Sequence, residues 1–144
     1  MAEEAKQEKK KVYVETTVVS DATAMPARDI VQLGRQVVTR EWWATAAQRR
    51  IDALVGISEL DVSQKELELA RKLVDGKAVP KEFPDDALHI AVAATHAMDY
   101  LVSWNFKHIT NGHTIPLVER ICRNEGYACP CICTPQMLQE GGRE

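Results

Sequence analysis

Residues 84–109 read PDDALHIAVAATHAMDYLVSWNFKHI, and how this stretch is understood decides the fold. From Ala87 to Met98 almost every residue is apolar, on all faces of a helix. A helix that is apolar all round is enclosed by protein rather than laid on a surface. Asp85 is the expected N-cap, its side chain able to accept from an otherwise orphaned backbone N–H. Residues 100–104, YLVSW, form a short and mostly apolar run without clean alternation, which predicts a parallel strand covered on both faces. Asp86 is the anomaly, an acid in the first turn of a helix that wants to be buried. A buried carboxylate is costly unless it is paired, hydrogen-bonded or bound to a metal, whereas a solvated first-turn acid is favoured by the helix dipole. The helix alone leaves both accounts of Asp86 open.

The chain has 144 residues, enough for one domain with a real core, and its 45% hydrophobic and 27% charged residues are those of an ordinary globular protein. No apolar run approaches the ~20 residues that span a bilayer, so no membrane is expected. The N-terminal MAEEAKQEKKK lacks the apolar segment of a secretory signal. Cytoplasm is the expected location, and the four cysteines then read as thiols. A net charge of −3 argues against a protein held to nucleic acid by its overall field, and leaves room for a local basic patch or an acidic pocket neutralised by a divalent cation. The expected organisation is a charged tail over 1–11, one domain over 12–138 and a polar tail over 139–144.

Residues 12–14, VYV, are the first strand, delivering Glu15, Thr16 and Thr17 at its carboxyl end. In open α/β sheets ligands bind beyond the carboxyl ends of the strands, although position alone slightly favours a plain surface Glu at a strand end. A short helix or turn follows and stops before Pro26. A long helix is predicted over 28–51, with Ile30, Leu33, Val37, Ala44, Ala47 and Ile51 on its core face. Adjacent Trp42 and Trp43 cannot share a face, so one should pack inward and the other sit at a rim. Residues 53–58 are the next strand, again followed by an acid, Glu59. Ser63 and Glu66 make a capping box for a helix that runs to about Val74, with Leu67, Ala70 and Val74 inward and Gly76 at its end. After the 84–104 stretch comes a polar turn over 105–109, a turn at Asn111-Gly112 and a helix over 115–124 closed by Gly126. Residues 129–133 are the last strand, with Cys129, Cys131 and Cys133 on one face, and the chain frays beyond Pro135. Strands alternating with helices imply a doubly wound α/β sandwich of three layers on a mostly parallel sheet.

Glu15, Glu59 and Asp86, with Asn105, then fall at strand carboxyl ends or at the start of the buried helix. Packed carboxylates repel unless a cation neutralises them, and oxygen-only ligands suit Mg²⁺ or Mn²⁺ rather than zinc. Such an ion can lower the pKa of water and stabilise charge developing on a phosphodiester. His89, one turn after Asp86, either orients it or simply packs, and stays outside the expected catalytic set. Lys107 and His108 read as a solvated turn.

The segments VYVETTVVS, ISEL, DDALHIAVAATHAMDYLVSWNFKHI and ICTPQML together resemble PIN domains, in particular a toxin-like branch with an acid-Thr/Ser start and a WNFKHI-type segment. The resemblance covers most of residues 12–138. It implies a metal-dependent endoribonuclease, the toxin of a toxin–antitoxin pair, with Glu15, Glu59 and Asp86 as catalytic and metal-holding acids and Thr16 and Asn105 as supporting or substrate-binding residues. The implied cofactor is Mg²⁺ or Mn²⁺, and the implied partners are an RNA substrate, an antitoxin protein and a second copy of the chain. Three departures stand out. Glu15 replaces the usual Asp, and Asn105 stands where many members carry a fourth acid. Between Leu60 and Asp61 the chain lacks a further helix and strand, which would truncate one sheet edge. The alternative is a catalytically degenerate PIN-like protein that binds RNA or an antitoxin without cleaving. A receiver domain or a haloacid-dehalogenase-type phosphatase would want paired acids at the first strand, where this chain has Glu15-Thr16-Thr17.

Overall fold

The computed structural model describes residues 10–46, 51–55 and 60–141. Glu59 and most of the N-terminal tail lie outside these described residues, and the last three residues of the C-terminal tail do as well. The chain runs β1 (Lys10–Val14), α1 (Thr16–Thr23), α2 (Ile30–Ala46), β2 (Ile51–Val55), α3 (Gln64–Asp75), α4 (Pro84–Thr95), β3 (Tyr100–Val102), α5 (Thr114–Asn124), β4 (Cys131–Cys133) and α6 (Pro135–Gly141). The four strands form one open parallel sheet in the order β2-β1-β3-β4. The chain steps from β1 outward to β2, crosses back over β1 to β3, and continues to β4. The reversal falls between β1 and β3, and α/β sheets bind ligands beyond the strand carboxyl ends at such a switch point.

Strand parity sends side chains to two separate clusters. Val12, Val14, Val102 and Cys133 join Val18 of α1 and Trp42 of α2 in one. Tyr13, Leu101 and Ile132 join α3, α4 and α5 in the other, which contains Leu69, Leu73, Ile90, Val118 and Cys122. Successive strand residues point to opposite faces, so a single apolar run feeds both clusters. The all-round apolar helix is enclosed as expected: Ala87 and residues 90–94 of α4 are buried.

Several local expectations are corrected. Phe83, not Asp85, is the N-cap of α4; Pro84 takes the first helical position and both acids sit in the first turn, where a missing proline N–H costs nothing. The long helix is described over Ile30–Ala46, and Ile51 opens β2 instead of closing α2. The buried face of α2 is Gln36, Thr39 and Trp42, while Ile30, Val31 and Val37 are exposed. Gln36 donates to the Met25 carbonyl and accepts from the Ala27 N–H; Thr39 donates to the Arg35 carbonyl and accepts from Trp104 Nε1. A pattern that counts only apolar residues cannot see a buried face whose polar groups are satisfied. Trp42 is buried and Trp43 sits at a rim, as the pair required.

In α3 the capping box forms, with the Glu66 carboxylate accepting from the Ser63 N–H at 3.3 Å and its hydroxyl at 3.0 Å. The face it buries is Glu66, Leu69 and Leu73, one step round from the expected one, and Leu67 is exposed. Cys129 precedes β4 and packs with Cys122, whereas Cys133 faces the other cluster, so the three cysteines do not share a face. Pro135–Gly141 is helix rather than frayed chain: the Thr134 hydroxyl accepts from the Met137 N–H at 3.1 Å and so caps α6.

Three helices end in the same six-residue hydrogen-bond pattern. Ala78, Met98 and Tyr127 donate their N–H groups to the carbonyls of Leu73, Ala93 and Cys122. The residue before each donor has positive φ, and these are Lys77, Ala97 and Gly126. Only the last uses the glycine that this left-handed position favours. Gly76 stands one residue early, as the C-cap of α3.

Candidate functional site

Glu15 leaves β1 at the switch point and is 3% exposed. Its backbone N–H donates to the Val102 carbonyl at 3.1 Å, which locks it to the carboxyl end of β3. Its Oε1 accepts from the Thr17 hydroxyl and from the Ser103 hydroxyl, the latter at 2.7 Å. Each hydroxyl also accepts: Thr17 from the Trp104 N–H, Ser103 from the Asn105 N–H, both at 2.9 Å. A carboxylate fixed by hydroxyls whose own bonds are complete is held in one rotamer. Both hydroxyls reach Oε1; among the described residues, none donates to Oε2.

Asp86 projects from the first turn of α4. Its Oδ2 lies 2.7 Å from His108 Nδ1, and both side chains are mostly buried. The His108 ring packs 4.3 Å from that of Phe83, between centroids. The loop that carries His108 is not a solvated turn at this residue. Asn105 organises that loop: its side-chain oxygen accepts from the His108 N–H at 3.1 Å, and its carbonyl accepts from the Ile109 and Thr110 N–H groups. Asn105 therefore stands at the strand end where it was expected, with its carbonyl-type oxygen committed to the turn.

His89, one turn after Asp86, reaches from α4 to β1 and α1. Its Nδ1 is 2.8 Å from the Tyr13 hydroxyl and its Nε2 is 3.2 Å from the Thr16 hydroxyl, so the ring spans from α4 to the residues that flank Glu15. Burial pushes the His89 pKa below its ordinary value, while the charges of Glu15, Asp86 and Asp85 oppose that shift. The ring thus ties α4, which carries Asp86, to Thr16, the residue after Glu15. Sequence reasoning left His89, His108, Thr17 and Ser103 out of the site. The one-turn spacing from Asp86 to His89 was the available signal; nothing local marks Ser103 or His108, whose partners are 88 and 22 residues away.

A lowered folded-state pKa makes the native protein reluctant to take up a proton that the unfolded chain accepts near pH 6.5. This contribution is therefore neutral above that value, and stability falls as pH drops below it. The urea midpoint of the metal-free protein is expected to fall between pH 7.5 and pH 5.5, and to fall less in His89→Gln. Equal losses in both proteins would remove His89 as the source.

Oxygen donors only, with one oxygen of Glu15 uncommitted, fit a hard divalent cation, and Mg²⁺ commonly binds through one or two carboxylates and retains water. Among the described residues no three His, Cys, Asp or Glu side chains stand together as a ready cage. The third expected acid, Glu59, lies outside the described residues. No protein-family model, no curated protein and no solved structure matches this chain.

Proposed function

We propose that the chain is a Mg²⁺- or Mn²⁺-dependent endoribonuclease of the PIN type, built as a three-layer doubly wound sandwich and acting as the toxin of a toxin–antitoxin pair. The observation that carries this reading is Glu15: a buried carboxylate at the switch point, held by two hydroxyls on one oxygen, and followed by Thr16, whose hydroxyl meets His89 on the helix that bears Asp86. Glu15 and Asp86 would hold the cation, with Glu59 as the third acid. When bound, the ion would polarise a phosphodiester oxygen and lower the pKa of water beside it. Thr17 and Ser103 keep the Glu15 carboxylate oriented, and His108 does the same for Asp86, as outer-shell partners do in metal sites. Neutral His89 can exchange hydrogen bonds with Tyr13 and Thr16 without adding a positive charge that would compete with the cation.

The degenerate alternative has one observation in its favour, the commitment of Asn105 to its turn. RNA cleavage distinguishes the two. The full chain is expected to cut single-stranded RNA in Mg²⁺ or Mn²⁺ and to stop in EDTA. The same ions are expected to raise the melting temperature, because a ligand that binds only the native state stabilises it by mass action. RNA binding without cleavage in any divalent ion, together with unchanged melting, would select the binding module. An antitoxin or a second copy would find apolar contacts in Ile30, Val31 and Val37, which are 83%, 62% and 48% exposed.

A further inference from the structure

We propose that the cleft beside Glu15 is a base-binding subsite that takes one unpaired guanine, stacked at Arg35 and Phe106 and read by Asp21 and Gln32. That the ligand belongs to RNA rests on the ribonuclease reading; that the cleft takes a base does not.

A cavity of about 270 Å³ opens between α1, α2 and the end of β3. Pockets for drug-sized ligands run about 300–1,000 Å³, so this one suits a single flat ring system and excludes a duplex. Two sides of it point to a base. On one side the Arg35 guanidinium lies 5.1 Å from the Phe106 ring centroid and 5.9 Å from that of Trp104. Phe106 stands just outside the lining, 43% exposed, with its ring 6.1 Å from that of Trp104, which does line the cavity. Guanidinium planes and exposed aromatic rings are the surfaces on which unpaired bases stack.

On the other side stands Asp21, 4% exposed on α1, which accepts from Gln32 Nε2. Burial raises its pKa, and the Gln32 hydrogen bond and the charge of Arg35 oppose that rise. Gln32 spends its nitrogen on Asp21, so what it can offer a ligand is its oxygen. The floor is therefore rich in acceptors, and it selects an edge that carries donors. Guanine alone among the RNA bases presents two adjacent N–H donors, N1–H and the 2-amino group, to one carboxylate. Uracil presents a single N–H between two carbonyls, which a carboxylate repels.

Thr17 ties the cleft to the acids. It lines the cavity, and its hydroxyl donates to Glu15 and accepts from the Trp104 N–H. A base seated here brings its own sugar-phosphate to the Glu15 end of the sheet, which would set which bond of a single strand is presented.

The test titrates the full chain in EDTA with guanosine, with the four ribonucleoside 5′-monophosphates and with inorganic phosphate, followed by calorimetry or ligand-observed NMR. Guanosine and GMP are expected to bind, at least fivefold more tightly than UMP. Phe106→Ala, at an exposed position, is expected to weaken GMP on the order of tenfold, the scale of one base–aromatic stack. Phe106→Trp should restore binding, and Asp21→Asn should erase the preference for guanine. Equal affinity for all four nucleotides, or phosphate binding as well as GMP while guanosine does not, overturns the subsite. Nuclease activity is read separately. Cleavage without base preference and unchanged in Phe106→Ala overturns the subsite and leaves the nuclease. GMP binding by a chain that cuts no RNA in Mg²⁺ or Mn²⁺ keeps the subsite and overturns the nuclease.

Discussion

Asp86→Asn is expected to lose about a hundred- to a thousandfold of the divalent-dependent RNA cleavage, with little change in the urea midpoint. The magnitude follows from the several kcal/mol that a bound cation contributes to a phosphodiester transition state, at 1.36 kcal/mol per tenfold in rate. The fold should survive because Asn is nearly isosteric and its oxygen can still accept from His108 Nδ1, which lies 2.7 Å from Asp86 Oδ2. Phe83, not Asp86, occupies the N-cap, so the loss in helix stability is limited to a first-turn charge, about 0.3–1 kcal/mol. His108→Gln separates holding from orienting. It leaves both acids in place and should raise the metal concentration needed for half-maximal cleavage about 10–100-fold. Measured together, RNA cleavage across a Mg²⁺ titration and urea unfolding decide the matter. An Asp86→Asn protein that cleaves at the parent rate removes this residue from the mechanism.

Trp42→Ala is expected to destabilise the protein by about 3–5 kcal/mol, whereas Trp43→Ala, one residue away, should cost far less. Trp42 is fully buried and packs with Val12, Val14, Val18, Val102 and Trp104 on the α1/α2 face of the sheet. Its removal leaves a cavity that the surrounding β-branched side chains cannot collapse into without leaving their rotamers. Trp43 is 39% exposed and meets Trp42 edge-on, with ring centroids 6.1 Å apart, so it contributes one aromatic contact and no enclosed volume. Against the 5–15 kcal/mol typical of a folded domain, the first change removes a large share of stability. Urea unfolding of the two variants reads the difference; equal midpoints would mean that Trp42 is not enclosed.

The sequence by itself determined the elements that local chemistry dictates. The all-round apolar helix that begins at 84–87 had to be enclosed, and the short apolar strands had to be covered on both faces. Ser63 with Glu66 had to start a helix, and a tryptophan pair had to split between interior and rim. It also singled out Glu15 and Asp86 as candidates, because an acid at a strand end and an acid opening a buried helix are anomalies visible in one dimension. Tertiary structure alone decided which residues surround these candidates. Ser103 reaches Glu15, His108 reaches Asp86 and His89 reaches Tyr13 across 88, 22 and 76 residues, and no local pattern encodes such pairings. Tertiary structure also decided that α2 buries Gln36 and Thr39 instead of Ile30 and Val37. The physical reason is the same in both cases. Hydrophobic periodicity records where apolar area is spent, but a polar side chain is placed by the partner that satisfies it, and that partner comes from a distant part of the chain.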